Sequence, residues 1–473
     1  MTEISRNSGQ PARPLPGSAQ FSESYRAGVL GMLVLAYTFN FIDRTIIYTI
    51  GQAVKEDLEL SDTQLGLLGG LAFALFYTVL GIPIARLADR YHRVNIIAVS
   101  VAVWSLFTAG CGLAVSYMQL LLLRMGVGIG EAGLSPPAHS LISDYYPPAR
   151  RGAALSTYAL GIPLGVMFGA VAGGWLADNF SWRAAFVVVG LPGLLVALII
   201  KLFVREPPRG WSEPAEATPV SQPPPPLTTV VRHLWRHPGI AHLVAGCTLV
   251  SMAAYGTSTY AQAYFIREFG VSYTTVGFVF GLVGGSSCAI GTLLGGFLAD
   301  RFGGRKPYWY ALVPGLGVLI ALPLYVLVYT STNWTLAACL LFLPGIFHFM
   351  YSGPTFALIQ NSVPGRMRAT SAALLLLAVN LVGLGIGPPL TGWLIDTFSE
   401  SQFHVLSIAD FFDSCPGGLG AASGGVELDR LCRTSVAQGT QYGILATLAF
   451  YLWGAVHYLA SAAAIARRPG SGR

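Results

Sequence analysis

The chain has 473 residues, of which 53% are hydrophobic and only 11% charged, and its mean hydropathy is +0.58. A soluble globular protein carries about 25% charged residues, so this composition excludes a soluble fold and points to lipid as the solvent. The net charge of +6 does not mark a nucleic-acid surface, because the basic residues are distributed by topology, as the connections below show.

The first twenty residues, "MTEISRNSGQPARPLPGSAQ", are polar and Pro-rich. They lack an apolar core followed by a cleavage site, so the first apolar segment is expected to direct its own insertion. A membrane helix needs about 20 predominantly apolar residues. Twelve segments meet that need, at roughly 27–51, 65–87, 94–115, 118–141, 153–177, 184–204, 239–266, 273–299, 309–330, 333–360, 368–395 and 440–466. Gly and Pro interrupt several of them, which membrane helices tolerate, and 56 glycines favour close helix contacts. Of the 28 Lys and Arg residues, 21 fall in the tails and in alternate connections on one side and five on the other. Cytoplasmic loops carry the excess of Lys and Arg, so both termini are expected in the cytoplasm. The remaining two, Arg44 and Arg124, lie inside spans.

The first span, containing "YTFNFIDRTIIYTIG", sets Asp43 beside Arg44, where a charge costs roughly 2.5–3.5 kcal/mol on insertion scales. The fourth, "LLLRMGVGIGEAGLSPPAHS", carries Arg124, Gly128, Glu131 and Ser135 at spacings that share one helix face. At 1.5 Å per residue, Asp43 and Arg124 fall at similar depth, with Glu131 roughly 10 Å deeper. These four groups have two readings: mutual neutralisation that fixes packing, or a proton pathway, which ionisable residues at membrane depth generally mark. In the second reading Asp43 and Glu131 carry the proton, and Arg44 and Arg124 pair alternately with the acids and with an anion. Opening or closing the cavity changes both the desolvation and the pairing that set a carboxylate's proton affinity. "GVGIGEAG" lies inside an apolar span and follows no strand, so it is not a phosphate loop.

The fifth span, "GIPLGVMFGAVAGG", repeats small residues at 161, 165, 169 and 173, and "GLGIGPP", 383–389, does so in the eleventh; each offers a flat stripe to another backbone. The connection at 205–237 contains "PVSQPPPPLTT" and reads as an extended, semi-rigid linker. In the C-terminal half, "YGTSTYAQAYF" and "FHFMYSGPTFALIQN" place Tyr255, Tyr260, Gln262, His348 and Tyr351 as candidate cavity residues; aromatic packing and a hydrogen-bonded packing histidine are the plainer readings. Cys111, Cys247, Cys288 and Cys339 lie in spans and read as small apolar packing. Cys415 and Cys432 share the last external loop, where an oxidising exterior and a Gly-rich spacer make a disulfide the expectation.

Internal repeats organise the whole. "ARLADRYHR" (85–93) pairs with "GFLADRFGGRK" (296–306), "PPARRGAALS" (147–156) with "VPGRMRATSAAL" (363–374), and "GGWLADNF" (173–180) with "TGWLIDTF" (391–398), at offsets of 211, 217 and 218 residues. Two parallel six-helix halves are expected: a tail at 1–24, a bundle at 25–204, the linker at 205–237, a second bundle at 238–466 with an external loop at 397–438, and a tail at 467–473.

With its paired Gly-x-x-x-Asp-Arg-type loops, the chain resembles the major facilitator superfamily. The resemblance implies an all-α membrane fold of twelve transmembrane helices in two pseudo-symmetric bundles. It also implies gating roles for Asp89, Arg90, Arg93, Asp300, Arg301 and Arg305, with the two aspartates latching the outward-open state. The first copy departs from the motif at Ala85 and His92, and the second inserts a Gly at Gly303-Gly304. "FNFIDR", "LADRYHR" and the long run from "LLRMGVGIGEAG" through "YALGIPLG" resemble the Spinster branch, whose members carry sphingosine phosphate or lysophospholipids. The Arg-x6-Glu-Ala-Gly element also resembles organic anion/proton symporters. The expected function is proton-coupled efflux of an amphipathic anionic lipid by alternating access, from a monomer in the bacterial inner membrane, with protons and membrane lipids as its other partners. The alternatives are a proton symporter of small organic anions and a sensor on a transporter scaffold. No metal cluster, nucleophile–His arrangement or nucleotide loop points to an enzyme or a cofactor.

Overall fold

The structure, a computed structural model, describes residues 21–212, 226–304, 306–364, 367–405 and 407–467. Among the described residues, eleven helical segments are long and apolar enough to cross a membrane. Five lie in the N-terminal half, at Glu23–Asp57, Asp62–Ala88, Arg93–Cys111, Arg150–Asn179 and Trp182–Phe203. Six lie in the C-terminal half, at Ile240–Phe269, Tyr273–Gly303, Trp309–Tyr329, Trp334–Asn361, Thr370–His404 and Gly425–Ala466. The twelfth crossing is the fourth in order, and it is made in two pieces, Tyr117–Glu131 and Ser135–Tyr145. Pro136 and Pro137 opening the second piece explain the break, since proline removes a helix N–H and pushes the preceding residue out of the α region. Glu131 thus ends a helix rather than sitting inside one. Ser22, Ser61, Ser116, Ser181 and Ser272 accept backbone N–H bonds at the starts of five helices, as N-cap residues do.

Each half has its own apolar core. One gathers residues from Phe21 to Val204, with Leu384 joining from the other half; the second gathers residues from Val230 to Ile465, with Leu65 joining reciprocally. The small-residue stripes work inside the halves. A Cβ on Gly165 would lie 2.4 Å from the Cβ of Phe41, and Gly161, Gly169 and Gly173 also press on the first span. Gly383 and Gly387 press on Ser251 and Met252 of the seventh span in the same way.

Several boundaries differ from the sequence reading. The seventh and eleventh helices run on to Phe269 and His404, which brings Arg267 and Asp396 onto helices. The last span begins at Gly425 and shortens the external loop. The described parts of the linker pack against the halves: residues 205–212 dock on the first half through Arg93, which bonds Glu206 at 2.6 Å and the Pro207 carbonyl at 3.0 Å, and Leu227–Arg236 forms a helix that buries Val230 and Leu234. The proline run between them lies outside the described residues.

The ends of the molecule are unlike. Between described residues, every side-chain hydrogen bond and ion pair that joins the halves lies at the end opposite the termini, among residues 52–63, 178, 260–274 and 396. The halves therefore meet there and diverge toward the termini. Gly165→Ala, which forces the first and fifth spans apart, is expected to cost about 1–3 kcal/mol and to lower the unfolding midpoint in detergent. Gly28→Ala, with open space around it inside the first helix, should leave the midpoint unchanged or raise it slightly, since Ala favours the helix over Gly.

Candidate functional site

A cavity of about 490 Å³ lies between the halves, lined by first-, second-, fourth- and fifth-span residues on one side and by residues of the seventh to eleventh spans on the other. Two of its described lining residues are charged, Arg44 and Arg124, and both come from the N-terminal half. Arg44 Nε donates to Glu131 Oε2 at 2.6 Å; the carboxylate is fully buried and the guanidinium is 18% exposed. The guanidinium sits in a cage of Phe41, Phe73 and Tyr77, whose ring centroids are 5.0, 4.9 and 4.5 Å from Cζ. Such cation–π contacts hold the charge at the wall while leaving one edge toward the cavity. The other Glu131 oxygen, Oε1, is buried without a hydrogen-bond partner.

Arg124 is arranged differently. Its Nε donates to the Leu68 carbonyl at 3.4 Å and Nη1 to the Asp43 backbone carbonyl at 3.3 Å. Among the described residues no carboxylate lies within ion-pair distance of it. Asp43 turns its side chain away from the cavity: Oδ2 accepts from Thr108 Oγ1 at 3.1 Å, and Oδ1 is buried without a partner. The four intramembrane charges do come together, but in two layers, with the arginines at the cavity wall and the acids behind them. Thr108, in the third span, carries no sequence signal that would have singled it out.

The opposite wall carries no charge among its described residues. Tyr255, Gln262, His348 and Tyr351 line it, together with Tyr325, Tyr329 and Phe349. His348 is buried; its Nδ1 lies 3.2 Å from the Tyr325 hydroxyl and 3.1 Å from that of Tyr451, while Nε2 has no partner. Gln262 Oε1 is also buried and unpartnered. This wall offers a neutral, aromatic surface with hydrogen-bonding groups to spare.

Comparison with known proteins fits this geometry. Residues 33–388 match the Major Facilitator Superfamily. The chain belongs to that superfamily. It is a transporter rather than an enzyme, and a multi-pass protein of the bacterial inner membrane. An MFS-type efflux pump of Mycolicibacterium smegmatis is 34% identical, covering 78% of this chain and 85% of the pump. A crystal structure of a bacterial homologue of the human lysosomal transporter Spinster, in an inward-facing and unoccupied conformation, superposes with a TM-score of 0.86 at 37% identity over 93% of this chain and 98% of that one. A hexuronate transporter of Bacillus subtilis is 26% identical over 81% of this chain and 92% of its own. The transporter is thus Spinster-like in sequence and fold.

The remaining motif residues sit outside the cavity. Tyr260, expected at the substrate site, is instead part of the far-end closure: its hydroxyl donates to the Asp62 carbonyl at 2.5 Å. It lies too far along the seventh helix, next to the narrow end. Arg93, expected to gate, is buried within the N-terminal half, where it pairs with Asp144 and Glu206; this is an anchor inside one half. Asp300 accepts from Tyr310 of the neighbouring span at 2.8 Å and, like Arg90 and Arg301, is exposed, as the divergent terminal end dictates. The Asp89 side chain and Arg305 lie outside the described residues. Cys415 and Cys432 are disulfide-bonded. Sequence reasoning missed a second charge cluster at the closed end. Asp62 receives Lys55 Nζ at 2.5 Å and Arg267 through both terminal nitrogens, at 2.6 and 3.1 Å. Lys55 and Arg267 read as topology markers because their partners lie on other helices.

Removing one member of a buried ion pair leaves the other uncompensated, at about 3–5 kcal/mol. Arg44→Ala is therefore expected to destabilise the transporter strongly, and Arg44→Ala/Glu131→Ala to regain most of the loss. Thermal unfolding of the four-member mutant cycle measures the coupling.

Proposed function

We propose that this transporter carries an amphipathic anion of the lysophospholipid or sphingosine-phosphate kind, together with a proton, by alternating access with both termini in the cytoplasm. The observation that carries this reading is the division of the cavity into a cationic wall and a neutral aromatic one. An anionic headgroup has two guanidinium partners at Arg44 and Arg124, and a bidentate, charge-assisted contact is the natural geometry for phosphate. The chain that follows has Phe73, Phe280, Phe349 and the tyrosines of the C-terminal half to lie against. A volume near 490 Å³ falls in the range of roughly 300–1,000 Å³ typical of drug-sized ligands and exceeds what a six-carbon acid fills. The residues of one chain enclose the site, so the proposed transport unit is the monomer.

Proton coupling follows from the Arg44–Glu131 pair. An anion that takes Arg44 displaces Glu131, and a buried carboxylate stripped of its counter-ion binds a proton more tightly. Anion and proton then favour each other's binding, and the linkage is reciprocal. The sign is that of co-transport: binding takes up a proton, and affinity rises as pH falls. Asp43, with its unpartnered oxygen behind Arg124, is the second proton site. A second reading, co-transport of a small organic anion, draws on the hexuronate transporter relative and uses the same arginines. The neutral wall weighs against it, since a small dianion has nothing to pair with there.

The deciding experiment is uptake into proteoliposomes under an imposed pH gradient, comparing a lysophospholipid with short dicarboxylic acids. Gradient-driven movement of the lysophospholipid alone is expected; movement of the acids alone would replace this reading with the second. For wild-type protein, anion affinity should rise as pH falls, by up to about tenfold per pH unit for each linked proton, and Glu131→Gln should remove the larger part of this dependence, leaving the part that Asp43 contributes. Arg124→Ala is expected to weaken anionic amphiphiles more than a neutral monoacylglycerol; equal loss of both would assign Arg124 a structural role.

A further inference from the structure

The repeated segments "GGWLADNF" and "TGWLIDTF" each contain an aspartate at the sixth position, and the two correspond in the fold. Asp178, at the end of the fifth span, accepts from the backbone N–H groups of Tyr273 at 3.2 Å and Thr274 at 2.7 Å, the first two residues of the eighth span. Asp396, in the matching part of the eleventh span, accepts from Asp62 and Thr63 at 2.8 Å each, the first two residues of the second span, and from the Thr63 hydroxyl at 2.6 Å. In both cases the receiving helix already has a serine N-cap, Ser272 or Ser61. The carboxylate of the other half takes the N–H groups that the serine leaves free.

Backbone contact between the helices repeats with the same symmetry. A Cβ on Gly174 would lie 2.2 Å from the Tyr273 carbonyl oxygen, and one on Gly277 2.3 Å from that of Ala170. At the other seam, a Cβ on Gly392 would lie 2.3 Å from the Asp62 oxygen, and one on Gly66 2.5 Å from that of Pro388. Each seam is a glycine-to-carbonyl fit in both directions, ending in one aspartate latch. Neither fit tolerates partial separation, because a carboxylate drawn out of reach would leave both itself and two helix N–H groups without partners.

We propose that Asp178 and Asp396 are a reciprocal pair of positioning residues for the transport cycle, each half clasping the second helix of the other, and that the far end opens only when both let go. The pair is the counterpart, at the closed end, of the loop aspartates at the terminal end, and it engages the two seams about which the halves move. The proposal is independent of what the cavity carries and of the proton.

Cys288, a native thiol, lines the cavity and reports which end is open. The experiment measures its labelling by a membrane-impermeant maleimide, in a Cys339→Ser background, from the far-end face and from the terminal face in vesicles of each orientation. Loss of a charge-assisted contact corresponds to roughly a tenfold change in an equilibrium. Asp178→Asn and Asp396→Asn are each expected to raise far-end labelling by about that factor while terminal-face labelling falls, with a larger shift in the double variant. Asp178→Glu should recover part of the wild-type ratio. Gly277→Ala, which jams the seam without touching a carboxylate, should shift the ratio the same way. A merely structural role would raise labelling from both faces or lower the amount of folded protein with no change in the ratio. Either result, or an unchanged ratio in both asparagine variants, would overturn the proposal.

Discussion

An ionised group inside a bilayer is tolerable only while it has a partner, and this constraint organises the transporter. Most of the buried charges are gathered into ion-paired clusters, while Arg124 and Asp43 hydrogen-bond to backbone carbonyls and to Thr108, respectively; two clusters matter most. In one, Arg44 holds Glu131 across the first and fourth spans. In the other, Asp62 holds Lys55 and Arg267 across the two halves. Both use a guanidinium, whose several N–H donors suit a carboxylate.

The backbone geometry complements this. Spans one and five, and spans seven and eleven, close on each other through glycines and behave as fixed units within their halves. Spans two with eleven and five with eight close through glycines as well, but across the halves. Close-packed helix surfaces of this kind have discrete arrangements rather than a continuum, so relative motion of the halves is a step between two fits. Each of these four helices also carries a local irregularity, as the fourth, tenth and twelfth spans do. The second is broken at Gly70 and the fifth at Leu160, while the eighth and eleventh each contain a single wide turn, at Phe280–Gly284 and Val379–Leu384. Such wide turns are frequent at functional sites.

Between those moving helices the cavity has a chemistry set by its two parents. The N-terminal half contributes charge and the C-terminal half contributes aromatic rings and neutral hydrogen-bonding groups. The two repeats thus differ in what they present to the cavity. His348 shows this well: it lines the cavity, and two tyrosine hydroxyls hold its Nδ1.

Much of this was legible in the chain itself. Hydropathy and the repeated motifs specify twelve crossings in two parallel halves, because lipid demands about 20 apolar residues per crossing and duplication leaves its period in the sequence. Asp43, Arg44, Arg124 and Glu131 stand out for the same reason: in an apolar run an ionisable residue is conspicuous. The tertiary structure decided how they pair. Asp43 faces Thr108 and not an arginine, Tyr260 bonds a backbone carbonyl at the closed end, and Arg93 anchors one half. Asp62 and Arg267 lie at helix ends, where charges are ordinary, so nothing local distinguishes them; Asp396 lies within the eleventh helix, in a repeated segment whose sequence does not tell which helix start its carboxylate meets. Helix periodicity tells which face a residue occupies, but the neighbour on that face comes from a helix tens or hundreds of residues away, and only the packing of the halves brings the two together.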